Sequence, residues 1–270
     1  MINLGRVKTL VKKDLLGIKN DKVTLLPLCL LPLVFSLILP TILLLGGEKS
    51  TVINDIGGVS SFMTNLNTTI IPHNIPSEYV EIYAILMYFF IPIFALIPVM
   101  LATVIASSSF VGEKENKTIE GLLYTPLTNS ELVLGKILAA AIPAMLATWV
   151  SILIYGILLD TLGLNVFKTM IFPNVTWILV ALFLDPCIVF LAIALVIFVA
   201  QRVKTSKAAQ SVAMILILPI IVGVISQASG AVLLGIRAVL IVTVLLLLID
   251  LFIFVVVVKR FNREKYILKI

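Results

Sequence analysis

Apolar residues dominate this chain in six long runs, and polar residues are gathered in the stretches between them. The runs are Val23–Leu45, Ile82–Ala106, Ile137–Leu159, Val175–Ala200, Ala208–Ser226 and Ala238–Val258. Coiled at 1.5 Å per residue, the first is about 34 Å long, against about 30 Å for the hydrocarbon core of a bilayer. Each run is read as a membrane-spanning helix, which makes the chain an all-α polytopic membrane protein. Pro27, Pro32 and Pro40 fall inside the first run, Pro92 and Pro98 inside the second, and Pro143 and Pro219 inside the third and fifth. Proline is tolerated in a membrane helix where neighbouring groups satisfy the carbonyls it frees.

The segments between the runs have characters of their own. In residues 1–22, Leu4, Val7, Val11, Leu15 and Ile18 share one helical face, among Arg6, Lys8, Lys12, Lys13, Lys19 and Lys22. That is a basic amphipathic helix suited to the headgroup layer. The run after it is too long for a signal peptide and ends in no small-residue cleavage site. Residues 46–81 are polar and read as an external loop; they hold His73, the single histidine, and an Asn67-Thr68-Thr69 sequon of little weight. A plain exposed loop residue is the ordinary role for such a histidine. Trp177 opens the fourth run, where an interface anchor is expected. Residues 227–237 are apolar at Ala231–Ile236 but too short to cross, and read as a short outer helix or re-entrant piece.

The longest interruption with clustered charge of both signs is Ser107–Lys136. Glu113 precedes Lys117 by four residues, an order that supports a helix. Ile119, Leu122 and Leu123 fall at i, i+3 and i+4, so one face is apolar. Pro126 disfavours helical dihedrals at Thr125. Thr128 and Glu131 then form a capping box for a second helix, which runs into the third span through Lys136. The alternative is a solvated loop with some helical content.

The order of residues here resembles the intracellular loop of the type 2 ABC export permeases. It is carried by Glu113, Lys114 and Glu115, then Thr118, Ile119 and Glu120, then Leu122 and Leu123, Pro126, Glu131, Gly135 and Lys136. The match covers about thirty residues, and the six-span layout extends it less specifically along the chain. The resemblance implies a coupling helix between spans two and three that docks on a separate ATP-hydrolysing subunit. It places Glu113, Glu115, Thr118, Ile119, Glu120, Leu122 and Leu123 at the docking surface. It also implies two ATPase subunits and a second permease subunit, as a homodimer. ATP and magnesium would be held by the ATPase partner and no cofactor by this chain.

Composition changes the picture in one respect. Charged residues make up only 13% of the chain and hydrophobic ones 61%, whereas a soluble domain carries about 25% charged residues. The net charge of +6 invites a nucleic-acid partner, but the basic residues flank the apolar runs instead of forming a stripe. Six of them precede the first span, three lie in residues 107–136, three in 201–207 and five in the tail, 259–270; only Lys49, Lys168 and Arg237 lie on the other side. The positive-inside rule therefore puts both termini and the charged segment in the cytoplasm, with the protein in the plasma membrane.

Candidate chemistry is sparse. Asp185 and Asp250 lie deep within the fourth and sixth runs, and a carboxyl at bilayer depth is a candidate for a cargo or proton pathway. Asp185 precedes Pro186, so bonding to backbone freed by that proline is the structural alternative. Asp250 has its own, a protonated carboxyl hydrogen-bonded between helices. Arg237 at the outer end is a cargo candidate or a topology anchor. There is no phosphate-binding loop: Ser130 stands where its first glycine belongs and Ile137 replaces its Ser or Thr. No Ser/His/Asp set and no metal-ligand spacing appears, and Cys29 and Cys187 sit within apolar runs. Two functions remain: an ATP-driven exporter subunit moving a drug, peptide, lipid or ion, or an ATP-independent proton-coupled carrier using Asp185 or Asp250.

Overall fold

A computed structural model describes residues 3–46, 72, 75–116, 118, 121, 125–200, 202–229 and 235–260. Ile119, Glu120, Leu122, Leu123, His73, the sequon, Lys49 and most of the tail lie outside them. The described residues form helices and no strands, and six helices are long and apolar enough to cross a membrane. In chain order these are α1 (Leu4–Asn20), then the spans α2 (Thr24–Leu45), α3 (Val80–Glu115), α4 (Asn129–Phe167), α5 (Val175–Ala200), α6 (Ser206–Ala228) and α7 (Ile236–Arg260).

Several helices outrun their apolar runs. Expected to stop at Ala106, α3 continues to Glu115; α4 passes Leu159 and ends at Phe167, where Lys168 takes a left-handed φ of 57°. The polar loop expected from Asp160 thus begins a helical turn or two later. Its start is held by Asp160, whose carboxylate accepts the N–H groups of Ile171 and Phe172, each at 3.1 Å.

The spans divide into two classes. Most of α3 and α5 is buried within the bundle, whereas α2, α6 and α7 turn most of their apolar side chains outward. With no hydrophobic drive between helices in lipid, packing and interhelical hydrogen bonds must hold such a bundle. Of four π-turns among the described residues, Val34–Ile38 in α2, Ile85–Phe89 and Ser108–Gly112 in α3, and Val180–Leu184 in α5, the last three supply those bonds. A π-turn loosens the i→i−4 ladder and leaves carbonyls in need of donors. In α2 the donor is local: the Ser36 hydroxyl donates to the carbonyl of Pro32. In the other two helices the donors come from neighbours.

The Ile85–Phe89 turn is the clearest case. Three consecutive carbonyls are met by side chains from three different helices. Tyr155 Oη of α4 donates to Leu86 at 2.6 Å, Trp177 Nε1 of α5 to Met87 at 3.0 Å, and Gln227 Nε2 of α6 to Tyr88 at 2.9 Å. Pro92, which has no N–H to offer the Tyr88 carbonyl four residues back, explains why the third donor is needed. Phe94, Tyr155 and Trp177 pack around the turn with ring centroids 4.7–5.0 Å apart. Trp177 is 0% exposed. The expectation of an interface anchor is therefore corrected: its indole N–H finds a backbone acceptor inside the bundle, so it has no need of the headgroup layer. Gln227 is likewise a bundle residue at the end of α6, not part of a separate outer piece. In α5, Trp149 Nε1 of α4 donates to the Ala181 carbonyl at 2.8 Å.

Candidate functional site

At the end of the bundle that carries α1, the third π-turn of α3 meets a knot of charge. Lys136, about two turns into α4, is 0% exposed. Its ammonium donates to the Ser109 carbonyl in that π-turn at 2.6 Å and lies 2.7 Å from Glu113 Oε2 and 3.6 Å from Asp14 Oδ2. The Phe110 ring lies beneath it, 5.5 Å to the centroid. Lys13 pairs with the other oxygen of Glu113 and, at 3.2 Å, with Asp14 Oδ1. Ser109 Oγ donates to Asp14 Oδ2 at 2.9 Å. Two acids and two bases thus alternate across α1, α3 and α4, and the cluster is neutral. A buried charge left unpaired is strongly destabilising, so this balance holds the three helices in one arrangement.

The helix α1 is seated by this cluster. Its buried stripe is Val7, Leu10, Asp14 and Ile18. The apolar face expected from Leu4, Val7, Val11, Leu15 and Ile18 is thus rotated: Leu4 is exposed and Asp14 lies in the middle of the buried side. The reason is the partner, since burying Lys136 requires a carboxylate opposite it. Gly135 permits the close approach, because a Cβ there would stand 2.7 Å from Leu10 Cδ2.

A second tie lies at the start of α4. The expected capping box is formed: Glu131 accepts the Thr128 N–H at 2.9 Å, and Thr128 Oγ1 accepts the Glu131 N–H at 3.3 Å. The same carboxylate, 1% exposed, accepts the Asn3 N–H at 2.7 Å. Arg6 Nη1 donates to the Pro126 carbonyl at 2.6 Å. The N-terminal end of α1 is therefore fastened to the entry of α4, and its middle to Lys136. Between α1 and residues 108–127 lies a cavity of about 830 Å³, lined by Arg6, Lys13, Asp14, Asn116, Thr118 and Gly121 among others.

The three charged residues that end α3 point in three directions, as successive helix positions must. Glu113 faces the cluster. Lys114 donates to the Val203 carbonyl at 3.4 Å, and Glu115 Oε2 accepts the Ser206 N–H at 2.9 Å, at the first residue of α6. The Thr118 N–H donates to the Glu113 carbonyl at 2.9 Å, and its side chain is exposed. Of the residues expected at a docking surface, Glu113 and Glu115 thus have partners within the chain and Thr118 faces solvent. Gly121 is helical and Thr125 lies in a bend before Pro126. Sequence reading missed Lys13, Asp14 and Lys136 as a set; the one available signal was an acid interrupting an apolar stripe.

These fastenings have a defined pH window. Backbone donation from Ser206 holds Glu115 below the ordinary carboxylate value, and donation from Thr128 and Asn3 does the same for Glu131. Burial lowers the Lys13 pKa, but the Glu113 and Asp14 carboxylates outweigh it and leave it raised. Depressed acids contribute stability above their ordinary 4.5, lost as pH falls through the folded value. The raised lysine contributes below its ordinary 10.5, lost as pH rises through the folded value. Protection of α1 amides from hydrogen exchange, corrected for intrinsic rate, is expected to be flat between these limits and to fall outside them. A step near neutral pH would refute this assignment.

The intramembrane candidates are not brought together. Both Asp185 carboxylate oxygens are buried without a hydrogen-bond partner. The structural alternative, that it bonds backbone groups freed by Pro186, does not hold, since neither of its oxygens has such a partner. Asp250 lines a groove between α5 and α7 that does not include Asp185. Arg237 is exposed in the first turn of α7, about 20 Å along the axis from Asp250. Among the described residues, no group of three or more His, Cys, Asp or Glu is arranged to hold a metal.

A family profile described as "ABC-2 family transporter protein" matches residues 8–255. Neither a curated protein nor a solved structure matches the chain.

Proposed function

The chain belongs to the ABC-2 family of transporter proteins, and on that premise we propose that it is the permease half of an ATP-driven exporter whose force enters at residues 113–128. As a member of that family it is a membrane-spanning permease subunit of an ABC transporter. In the proposed assembly two copies of the chain pair in the plasma membrane, both termini in the cytoplasm, above two ATPase subunits that bind ATP and magnesium. Cargo moves outward as closure of the ATPases rocks the spans.

The observation that carries this reading is the neutral cluster of Lys13, Asp14, Glu113 and Lys136. A push on the segment after Glu113 reaches α1, α3 and α4 together, because parting α3 from α4 takes the nearest carboxylate from the buried Lys136 ammonium, and α1 is paired to both through Lys13 and Asp14. Glu113 and Glu115 serve as the anchors of the segment, and Thr118, Ile119, Glu120, Leu122 and Leu123 meet the ATPase. The charge tally, seventeen of the twenty Lys and Arg residues in the segments that six alternating spans put on one side, supports placing it in the cytoplasm.

Glu120→Lys tests the docking assignment. Like-charge juxtaposition at an interface costs several kcal/mol, so transport by the reconstituted complex is expected to fall by about tenfold or more while membrane insertion and ATP hydrolysis persist. An unchanged transport rate would remove Glu120 from the docking surface. The alternative, a proton-coupled carrier, draws on the two buried carboxyls Asp185 and Asp250. It requires transport without ATP, and co-purification with an ATPase separates the two.

A further inference from the structure

The groove between α5 and α7 has a composition that the coupling reading does not use. Its volume is about 370 Å³, and its walls are Pro186, Cys187, Phe190, Leu247, Asp250 and Phe254, with Leu251 at the rim. Leu247, Leu251 and Phe254 are exposed, so the groove opens on the outside of the bundle. Asp250 is only 6% exposed, and its Oδ1 is buried without a hydrogen-bond partner. The carboxyl lies about 15 Å along the axis from Arg260 at the helix end, which is hydrocarbon depth for a span of this length.

A buried carboxyl in an otherwise apolar groove selects a ligand by charge. It repels an anion, and an uncharged chain leaves its charge without a counter-ion. An amine satisfies it. The aromatic walls point the same way: the Phe190 and Phe254 rings stand 6.0 Å apart at 48°, forming a corner whose faces attract an alkylated ammonium. A strongly hydrated cation would not reach this depth, so the amine must carry its own apolar body.

We propose that this groove binds a hydrophobic amine taken up from the bilayer, with the ammonium at Asp250 and the apolar part along Phe190, Leu247 and Phe254. The proposal needs only that α5 and α7 span the membrane, and it stands apart from where the ATPase docks.

Cys187 in the groove wall provides the measurement. The full-length Cys29→Ser chain is placed in nanodiscs of phosphatidylglycerol, whose headgroup has no amine, and alkylation of Cys187 by N-ethylmaleimide is timed. Decyltrimethylammonium is expected to slow the reaction about fivefold or more, whereas decanol and decyl sulfate leave it unchanged. Asp250→Asn should abolish the protection and Asp250→Glu should keep it. Equal protection by all three chains, or full protection in Asp250→Asn, would overturn the proposal. If Cys187 resists alkylation, saturable binding of radiolabelled decyltrimethylammonium decides: sensitivity to Asp250→Asn supports the site, and insensitivity or absence of saturation overturns it. Nanodiscs containing phosphatidylethanolamine separate the sources. Competition by that lipid identifies a lipid amine as the occupant, and its absence identifies a free one. Oxidative crosslinking of Cys187 between two copies would make the groove a subunit interface and overturn the proposal.

Discussion

Lys136→Met is expected to release α1 from the bundle. The ammonium has no access to solvent and lies within 3.6 Å of two carboxylates and a carbonyl. Methionine fills much of its volume but leaves Glu113 and Asp14 to share Lys13, with a net negative charge in a partly buried cluster. Breaking a buried pair by removing one partner costs about 3–5 kcal/mol. At 1.4 kcal/mol per decade that raises local opening by about a hundredfold or more. Hydrogen exchange over Leu4–Asn20 reads this directly. Transport is expected to fall with it, while association with the proposed ATPase partner persists, because the residues beyond Thr118 proposed to dock on it are untouched. The double variant Lys136→Met/Glu113→Gln restores neutrality and should recover part of the loss, a non-additivity that only interacting groups show. Unchanged exchange in Lys136→Met would mean that apolar packing around Leu10 and Ile18 seats α1 and that the charges are incidental.

What was legible beforehand follows from the range of each signal. The six spans declare themselves because twenty or so apolar residues in a row have few other uses. The capping box at Thr128 is read correctly because its partners are three residues apart. Family resemblance in residues 113–136 rests on short-range order as well. Asp14 escapes because its partner lies in α4, and a periodicity count treats a carboxylate on an apolar face as noise. The end of α3 escapes because charge marks the surface of a membrane but not the end of a helix. Trp177 escapes for a subtler reason: hydropathy says nothing of a π-turn, and without the turn there is no acceptor to draw an indole inward. A proline five residues beyond Met87 was the available hint.

The same turn sets the second large effect, since Trp177→Ala is expected to destabilise the solubilised protein by about 3–5 kcal/mol, the range for truncating a fully buried aromatic side chain. Two contributions are mixed in that figure, and Trp177→Phe separates them. Phenylalanine keeps most of the contact with Phe94 and Tyr155 but withdraws the donor from the Met87 carbonyl. Interhelical hydrogen bonds in membranes are worth about 0.6 kcal/mol on average, so Trp177→Phe should cost about 1 kcal/mol and packing should supply the remainder. Thermal denaturation of the detergent-solubilised protein compares the two. Should Trp177→Phe prove as damaging as Trp177→Ala, the carbonyl and not the packing dominates. The transport consequence differs from the stability one. From Glu113 to Met87 is about 39 Å along α3, and α3 is the helix most enclosed by the others. A push delivered at the charged end crosses the bundle only if the loosened turn at Ile85–Phe89 transmits it without bending. Tyr155, Trp177 and Gln227 stiffen that turn from three sides. Trp177→Phe, though folded, should therefore transport more slowly at an unchanged rate of ATP hydrolysis, whereas a variant that merely lost stability would lose both in proportion.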